Sequence, residues 1–292
     1  MPPALSVLSG LLLQVYAFAV GGLVGSFLNV VIARVPRGES IVWPGSRCPK
    51  CLHAIRWYDN MPVVSWLVLR GRCRDCAAPI SPRYPMVELV TAFLALAIAR
   101  RFGWSLATPA FFAFAAMLVA IAYVDLDTWL IPYALSIPAV VLGLLFSIVN
   151  PILSHWWLSP LGAVIGAGIF WLVAWIGERV MKKEALGFGD VILLGMIGAW
   201  LGPQGLLPVV LFASVLGVII GSVMLMLAKR AGAVQEPPPP SSSSSELEED
   251  TWQPDPHAIP FGPFLVIGAL LQLLLGDALQ LMWEQTIRRI WS

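Results

Sequence analysis

Long apolar runs recur along almost the whole chain, and this feature most limits what the chain can fold into. A helix needs about 20 mostly apolar residues to cross a bilayer, and most of the runs approach or exceed that length. The predicted spans are residues 8–33, 85–100, 105–124, 129–149, 158–180, 190–202, 205–228 and 261–283. Gly202-Pro203 separates the sixth span from the seventh in a tight turn. The predicted fold class is therefore an all-α polytopic membrane protein with about eight transmembrane helices.

Composition excludes other classes of protein. Only 12% of the 292 residues are charged and 58% are hydrophobic, so the chain cannot supply the polar surface of a soluble domain. A soluble globular enzyme, a disordered protein and a secreted disulfide scaffold are thereby excluded. The formal net charge of +1 gives no global basic field, and no nucleic-acid partner is expected.

The distribution of basic residues predicts which loops face the cytoplasm. With eight spans, 14 of the 18 Lys and Arg residues fall on one side, in or beside the loops 34–84, 125–128, 181–189 and 229–260. These loops are therefore predicted to be cytoplasmic, with both chain termini on the opposite side. The lipid bilayer is the first expected partner.

The same pattern divides the chain into five segments. They are a first transmembrane helix at 1–33, a cytoplasmic cysteine-containing domain at 34–84, the remaining core of transmembrane helices at 85–230, a linker at 231–257, and a last transmembrane helix with its C-terminal tail at 258–292. The linker contains runs of proline, serine and acidic residues, which cannot bury apolar surface. It is predicted to be a disordered cytoplasmic loop.

All four cysteines lie in the first cytoplasmic loop as two Cys-x-x-Cys pairs, Cys48/Cys51 and Cys73/Cys76, with 21 residues between the pairs. Two such pairs at this spacing are typical of a zinc ribbon, in which two turns supply four thiolates to one tetrahedral ion. A loop of about 50 residues has a marginal hydrophobic core, so a structural zinc ion would stabilise it. Two disulfides or a redox-active pair are the alternatives. His53 could compete as a ligand, but four thiolates already complete the site, which favours a surface histidine.

Two acidic residues lie at the predicted cytoplasmic ends of spans, Asp125 at the end of the third and Asp190 at the start of the sixth. Acids at the membrane edge are costly and invite a functional hypothesis. Two neighbouring carboxyl groups share a proton, which is the chemistry of an aspartic protease. Gly187 and Gly189 are predicted to shape the loop before Asp190. Asp127 is a rival to Asp125, and only one of them can point at Asp190.

Structural alternatives remain for each acid. Asp190 could be a helix N-terminal acid favoured by the macrodipole, and Asp125 could simply mark the end of a span. A second class of function is a transporter or scaffold in which the two acids bind protons or cations.

Six ordered segments resemble one family, the type IV prepilin peptidases. They are Gly25-Ser-Phe-Leu-Asn29-Val-Val-Ile-Ala-Arg34-Val-Pro36, the two cysteine pairs, Pro79-Ile-Ser-Pro-Arg83-Tyr-Pro85-Met-Val-Glu88, Val124-Asp125-Leu-Asp127-Thr-Trp-Leu-Ile-Pro132, Lys183-Glu-Ala-Leu-Gly187-Phe-Gly189-Asp190 and Ile259-Pro-Phe-Gly262-Pro-Phe-Leu. The resemblance covers nearly the whole chain. It departs from the family at Thr91-Ala92, where the family usually has Thr-Gly.

The resemblance implies a catalytic dyad of Asp125 and Asp190 and a zinc site of Cys48, Cys51, Cys73 and Cys76. It implies cleavage of the leader peptides of type IV prepilins and type II secretion pseudopilins at the cytoplasmic face of the bacterial inner membrane. It also implies N-methylation of the new N-terminal residue with S-adenosylmethionine. A related protease that cuts other membrane proteins is disfavoured by the cysteine loop.

The methyl-donor site has no recognisable fingerprint in the sequence. No glycine-rich dinucleotide motif is present, and the loop is too short for a separate nucleotide-binding domain. The site must therefore combine the loop with the ends of the spans. The candidate residues for methyl transfer are Asn29, Arg34, Arg83 and Glu88.

Overall fold

The computed structural model describes residues 3–181, 187–230 and 260–290. Eight helices account for most of them: α1 (Pro3–Arg34), α2 (Val64–Val68), α3 (Arg83–Phe102), α4 (Ala107–Thr128), α5 (Tyr133–Phe146), α6 (Leu158–Met181), α7 (Phe188–Arg230) and α8 (Gly262–Ile290). Within these described ranges, extended pairing is limited to two isolated bridges in the loop between α1 and α3. The whole of the predicted linker at 231–257, and Lys182 and Lys183, lie outside the described residues.

The predicted all-α polytopic membrane fold is confirmed. Five helices, α1, α4, α6, α7 and α8, are long and apolar enough to cross a membrane. The helix α5 covers only 14 residues, fewer than the predicted span at 129–149. The difference arises because Trp129 ends α4 in the left-handed conformation and Pro132 is extended.

The helix α7 is divided at Gly202, whose backbone angles are φ 71° and ψ 176°. Only glycine adopts this region without steric cost, and the following Pro203 cannot continue the ladder of hydrogen bonds. The predicted break between the sixth and seventh apolar runs is therefore present. The segment before Gly202 packs on α6, and the segment after it packs on α8.

Glycines bring the backbones of α6 and α7 together. A β-carbon on Gly162 would overlap the carbonyl oxygen of Gly198, and one on Gly166 would lie 2.5 Å from the carbonyl oxygen of Leu194. Small residues at helix contacts are the usual means of close packing in membranes. The two helices run antiparallel, because the earlier α6 residue of these contacts, Gly162, meets the later α7 residue, Gly198.

A buried tryptophan just before the break in α7 joins three helices. The indole Nε1 of Trp200 donates to the carbonyl oxygen of Ala139 at 2.8 Å, and its ring stacks on Phe114 with centroids 4.8 Å apart. Its carbonyl oxygen accepts from Asn150 Nδ2 at 2.9 Å. The buried polar atoms are thus paired, and α4, α5 and α7 are fixed relative to one another.

Five helix ends meet at one end of the bundle, together with the cysteine loop. Asn29 of α1 donates to the carbonyl oxygen of Tyr84 at the start of α3. Arg83 contacts the end of α4. The start of α7 meets Ile131 after α4, and the start of α8 meets Asp125. The candidate site is built at this end.

Candidate active site and cysteine cluster

Asp125 lies in the last turn of α4, and only 4% of its surface is exposed. Its Oδ2 is buried and has no hydrogen-bond partner among the described residues. A β-carbon built on Gly262, the first residue of α8, would overlap Oδ2 and lie 3.1 Å from Cγ. The absence of a side chain at Gly262 therefore lets α8 begin directly against this carboxyl group.

Asp190 lies in the first turn of α7, where its backbone N–H donates to the carbonyl oxygen of Gly187 at 3.0 Å. It lies at the same end of the bundle as Asp125, because α7 begins where α4 ends. Gly189 packs on Ile131, and a β-carbon there would lie 2.8 Å from Cβ of Ile131. The structure thus brings the start of α7, which carries Asp190, against the segment that follows Asp125, and Gly189 allows this approach.

Asp127 has a different environment from Asp125. Its Oδ1 forms an ion pair with Arg83 Nη1 at 2.6 Å, and both side chains are about 40% exposed. Arg83 also donates to the carbonyl oxygen of Tyr123 at 3.1 Å. Two residues along the helix turn the side chain to another face, so Asp127 does not share the buried environment of Asp125.

The four cysteines form one cluster in which every pair of Sγ atoms lies within 4.8 Å. Cys48 and Cys76 Sγ are 3.7 Å apart. Four sulfurs about 2.3 Å from a tetrahedral zinc ion would be about 3.8 Å from one another, so the arrangement fits zinc. The cysteines are free, and the 3.7 Å separation is far above the roughly 2.05 Å of a disulfide.

Each cysteine pair sits in a turn with the same backbone hydrogen bonds. Cys48 N–H donates to His53 O at 3.0 Å, and Cys73 N–H donates to Ala78 O at 2.8 Å. Leu52 and Ala77, each directly after the second cysteine, have positive φ angles of 59° and 55°. Backbone N–H groups of Cys51 and Lys50 lower the pKa of the Cys48 thiol to about 6. This favours the thiolate that binds metal.

Three of the four predicted methyl-transfer residues, Asn29, Arg34 and Glu88, line one cavity of about 490 Å³. This cavity lies between the cysteine loop and the adjoining ends of α1 and α3. The fourth, Arg83, is not in the lining and is paired with Asp127. Ala92 is also outside it, because it packs on Gly21 at the contact between α1 and α3.

Sequence reasoning gave no role to Gly262 or Ile131, although Gly262 lies against Asp125 and Ile131 lies against Gly189 and Gly262. Gly262 belongs to one of the segments that carried the family resemblance. A Phe-Gly-Pro sequence at the start of an apolar run was an available signal of close backbone approach. Ile131 offered no comparable signal, since an isoleucine near a span is expected in any membrane protein.

The fold and the site together define a polytopic membrane protein with two acidic residues at one end of its bundle and a four-cysteine cluster that fits zinc. Comparison with known families adds two matches. The bacterial peptidase A24 N-terminal domain matches residues 19–102, and the type IV leader peptidase family matches residues 112–222. No solved structure matches the chain.

The chain is also similar over its length to proteins described as "Prepilin leader peptidase/N-methyltransferase". The relative from Myxococcus xanthus is 39% identical, with 91% of each chain covered. Those from Stutzerimonas stutzeri and Aeromonas hydrophila are each 36% identical, covering 93% and 88% of this chain and 94% and 89% of theirs. This chain belongs to the type IV leader peptidase family.

Proposed function

We propose that this chain removes the leader peptides of type IV prepilins and type II secretion pseudopilins with the dyad Asp125 and Asp190. The observation that carries the proposal is the buried Asp125 Oδ2, which has no partner in the described part of the chain and lies at the end of the bundle where Asp190 opens α7. Burying such a group without a partner is costly in a protein that only needs to fold. A water molecule and a peptide carbonyl would complete its hydrogen bonds during catalysis.

The pair performs hydrolysis by general acid–base catalysis. The ionised carboxyl group accepts a proton from a water molecule, whose oxygen attacks the scissile carbonyl carbon. The protonated carboxyl group donates to the carbonyl oxygen. When the C–N bond breaks, the amine takes a proton and the leader leaves with a new carboxyl terminus. Gly187 shapes the loop before Asp190, and Gly189 and Gly262 let the starts of α7 and α8 pack against the end of α4 and the segment after it.

The proposed location of the reaction is the cytoplasmic face of the bacterial inner membrane. Both acids lie at the bundle end that also carries the cysteine loop, and most basic residues belong to that end. The positive-inside rule assigns such an end to the cytoplasm. A substrate with a basic leader before an apolar helix would present its cleavage site at this depth.

The chain also N-methylates the new N-terminal residue, and the four cysteines hold a structural zinc ion. S-adenosylmethionine supplies the methyl group as an electrophilic carbon on a sulfonium. The residues proposed to serve this step are Asn29, Arg34, Arg83 and Glu88, with Arg83 acting through its contact to α4. Zinc orders the loop and takes no part in hydrolysis.

The test uses purified protein in detergent, a model prepilin and S-adenosylmethionine, with intact mass spectrometry of the product. The expected product has lost its leader and gained one methyl group. A product that is cut but unmethylated would remove the methyltransferase half of the proposal. An uncut substrate with a folded, zinc-loaded protein would contradict the peptidase half and favour a transporter or scaffold.

A further inference from the structure

We infer that an apolar groove between α2 and the outer side of α3 binds a phospholipid, with an acyl chain in the groove and the headgroup phosphate against Arg70 and Arg72. The groove has a volume of about 660 Å³, within the roughly 300–1,000 Å³ of small-molecule sites. The inference concerns a ligand of the membrane fold, and it stands whether or not the chain cleaves prepilins.

One wall of the groove is the outer side of α3. Another side of this helix packs on α1, where Gly21 meets Ala92, and α1 is long and apolar enough to cross the membrane. The groove side carries Met86, Val90 and Phe93, whose exposed fractions are 54%, 38% and 57%. Because α3 runs beside a membrane span, this wall faces acyl chains, which are as apolar as the wall itself.

The other wall is α2, and hydrogen bonds fix its position against α3. The backbone N–H of Val63, directly before α2, donates to Glu88 Oε2 at 2.7 Å. The indole Nε1 of Trp66 donates to the carbonyl oxygen of Ile80 at 3.1 Å. Val63, Trp66 and Leu67 all line the groove. Since the lining is apolar or aromatic and the indole N–H is already paired, the groove suits a hydrocarbon chain rather than a polar ligand.

Two arginines lie where α2 ends, and they supply positive charge for a headgroup. Arg70 and Arg72 flank Gly71, whose backbone N–H donates to the carbonyl oxygen of Trp66 at 2.8 Å. A β-carbon on Gly71 would lie 2.9 Å from Cζ2 of Trp66, so this turn packs directly on a residue of the groove. Both arginines are exposed, and neither forms an ion pair with another described residue. Guanidinium groups bind phosphate oxygens with paired N–H donors.

The positive charge favours a lipid over the apolar helix of a protein substrate. The proposed substrate carries a basic leader before its apolar helix, and Arg70 and Arg72 would repel such a leader. A phospholipid instead joins a negative phosphate to an apolar chain, which matches the two arginines beside the groove. The bound lipid would then fill the space between the cysteine loop and the bundle.

The experiment measures lipid binding to the full-length, zinc-loaded protein by native mass spectrometry, after delipidation in detergent. Dioleoylphosphatidylethanolamine should bind. The diacylglycerol with the same chains lacks the phosphate and should bind roughly tenfold more weakly, the loss typical of a charge-assisted contact. In Arg70→Gln combined with Arg72→Gln, the two lipids should bind alike. Equal binding of the two lipids by the wild type would overturn the inference.

A second variant tests the groove itself. Val90→Trp fills the groove from an exposed position of α3 and should abolish binding of the phospholipid. Val164→Trp makes the same change on α6 at a residue that is 69% exposed and does not line the groove, so it should bind like the wild type. Lipid binding by Val90→Trp that equals that of the control would overturn the inference. If that variant also raised the KM for a prepilin, the groove would hold the substrate's apolar helix instead.

Discussion

The cysteine loop and the helix bundle reach their structures by different physical means. The bundle is held by backbone contacts between glycines and by a buried aromatic core around Trp200. The loop buries little, and large apolar residues such as Trp43 and Trp57 are 76% and 83% exposed. Its turns are fixed by hydrogen bonds around a four-cysteine cluster that fits zinc.

The difference separates the two proposed chemistries. The carboxyl pair depends on where α4, α7 and α8 begin and end, so it should survive damage to the loop. The cavity lined by Asn29, Arg34 and Glu88 has one wall on the helices and one on the loop. Damage to the loop should therefore disrupt it. Changes in one region should therefore leave a recognisable signature in leader cleavage or in methyl transfer.

The largest effect on cleavage is expected from Asp125→Asn or Asp190→Asn. Each removes one half of the acid–base pair while keeping the side chain's size, and cleavage should fall by roughly 100- to 10,000-fold. Intact mass spectrometry of a model prepilin measures the rate. Substantial cleavage by either folded variant would remove that residue from the dyad.

Adding a methyl group at Gly262 should have the second-largest effect on the rate of cleavage. Gly262→Ala would drive a β-carbon into Asp125 Oδ2, and a displacement of about 1 Å in a catalytic group can cost about 100-fold in rate. Gly168→Ala on α6 has no neighbour within 4 Å of the added carbon and serves as the control. Equal cleavage rates for the two variants would show that α8 does not set the position of Asp125.

Removing zinc should affect cleavage less. Cys73→Ser combined with Cys76→Ser should lose the ion, the binding of S-adenosylmethionine and methyl transfer. Cleavage should fall by less than about tenfold, which corresponds to about 1.4 kcal/mol in the activation free energy. Metal content, methylation and cleavage are measured on one preparation. Loss of cleavage while the helices remain folded would mean that zinc supports the dyad as well.

The smallest effect is expected from Asp127→Asn. This change breaks an exposed ion pair with Arg83, and such pairs contribute about 0.2–1 kcal/mol. Cleavage should change by less than about fivefold in the same assay used for Asp125→Asn. A loss as large as that of Asp125→Asn would mean that Asp127 belongs to the catalytic pair.

Much of this architecture follows from the sequence because the relevant signals are strong and local. Apolar runs predict helices, Gly202-Pro203 predicts the break in α7, and two Cys-x-x-Cys pairs predict a four-thiolate cluster. Identifying the catalytic acids required more than local signals. Helical geometry requires Asp125 and Asp127 to face different ways, but choosing Asp125 needed the family resemblance.

Other features could not be predicted because they depend on long-range contacts or on backbone shape. The contact between Gly262 and Asp125 joins residues far apart in the chain. The left-handed conformations of Leu52 and Ala77 are unexpected for residues with a β-carbon. They follow from the hydrogen bonds that close each cysteine turn. Likewise, no pattern indicated that Asn29, Arg34 and Glu88 would line one cavity.

The most direct test of two separate sites uses Asp190→Asn alone, with S-adenosylmethionine and two substrates. One substrate is the intact prepilin and the other is the same pilin already lacking its leader. We predict that the variant leaves the prepilin uncut but methylates the leaderless pilin at the wild-type rate. Failure of a folded, zinc-loaded Asp190→Asn protein to methylate the leaderless pilin would contradict the separation of the dyad from the methyl-donor site.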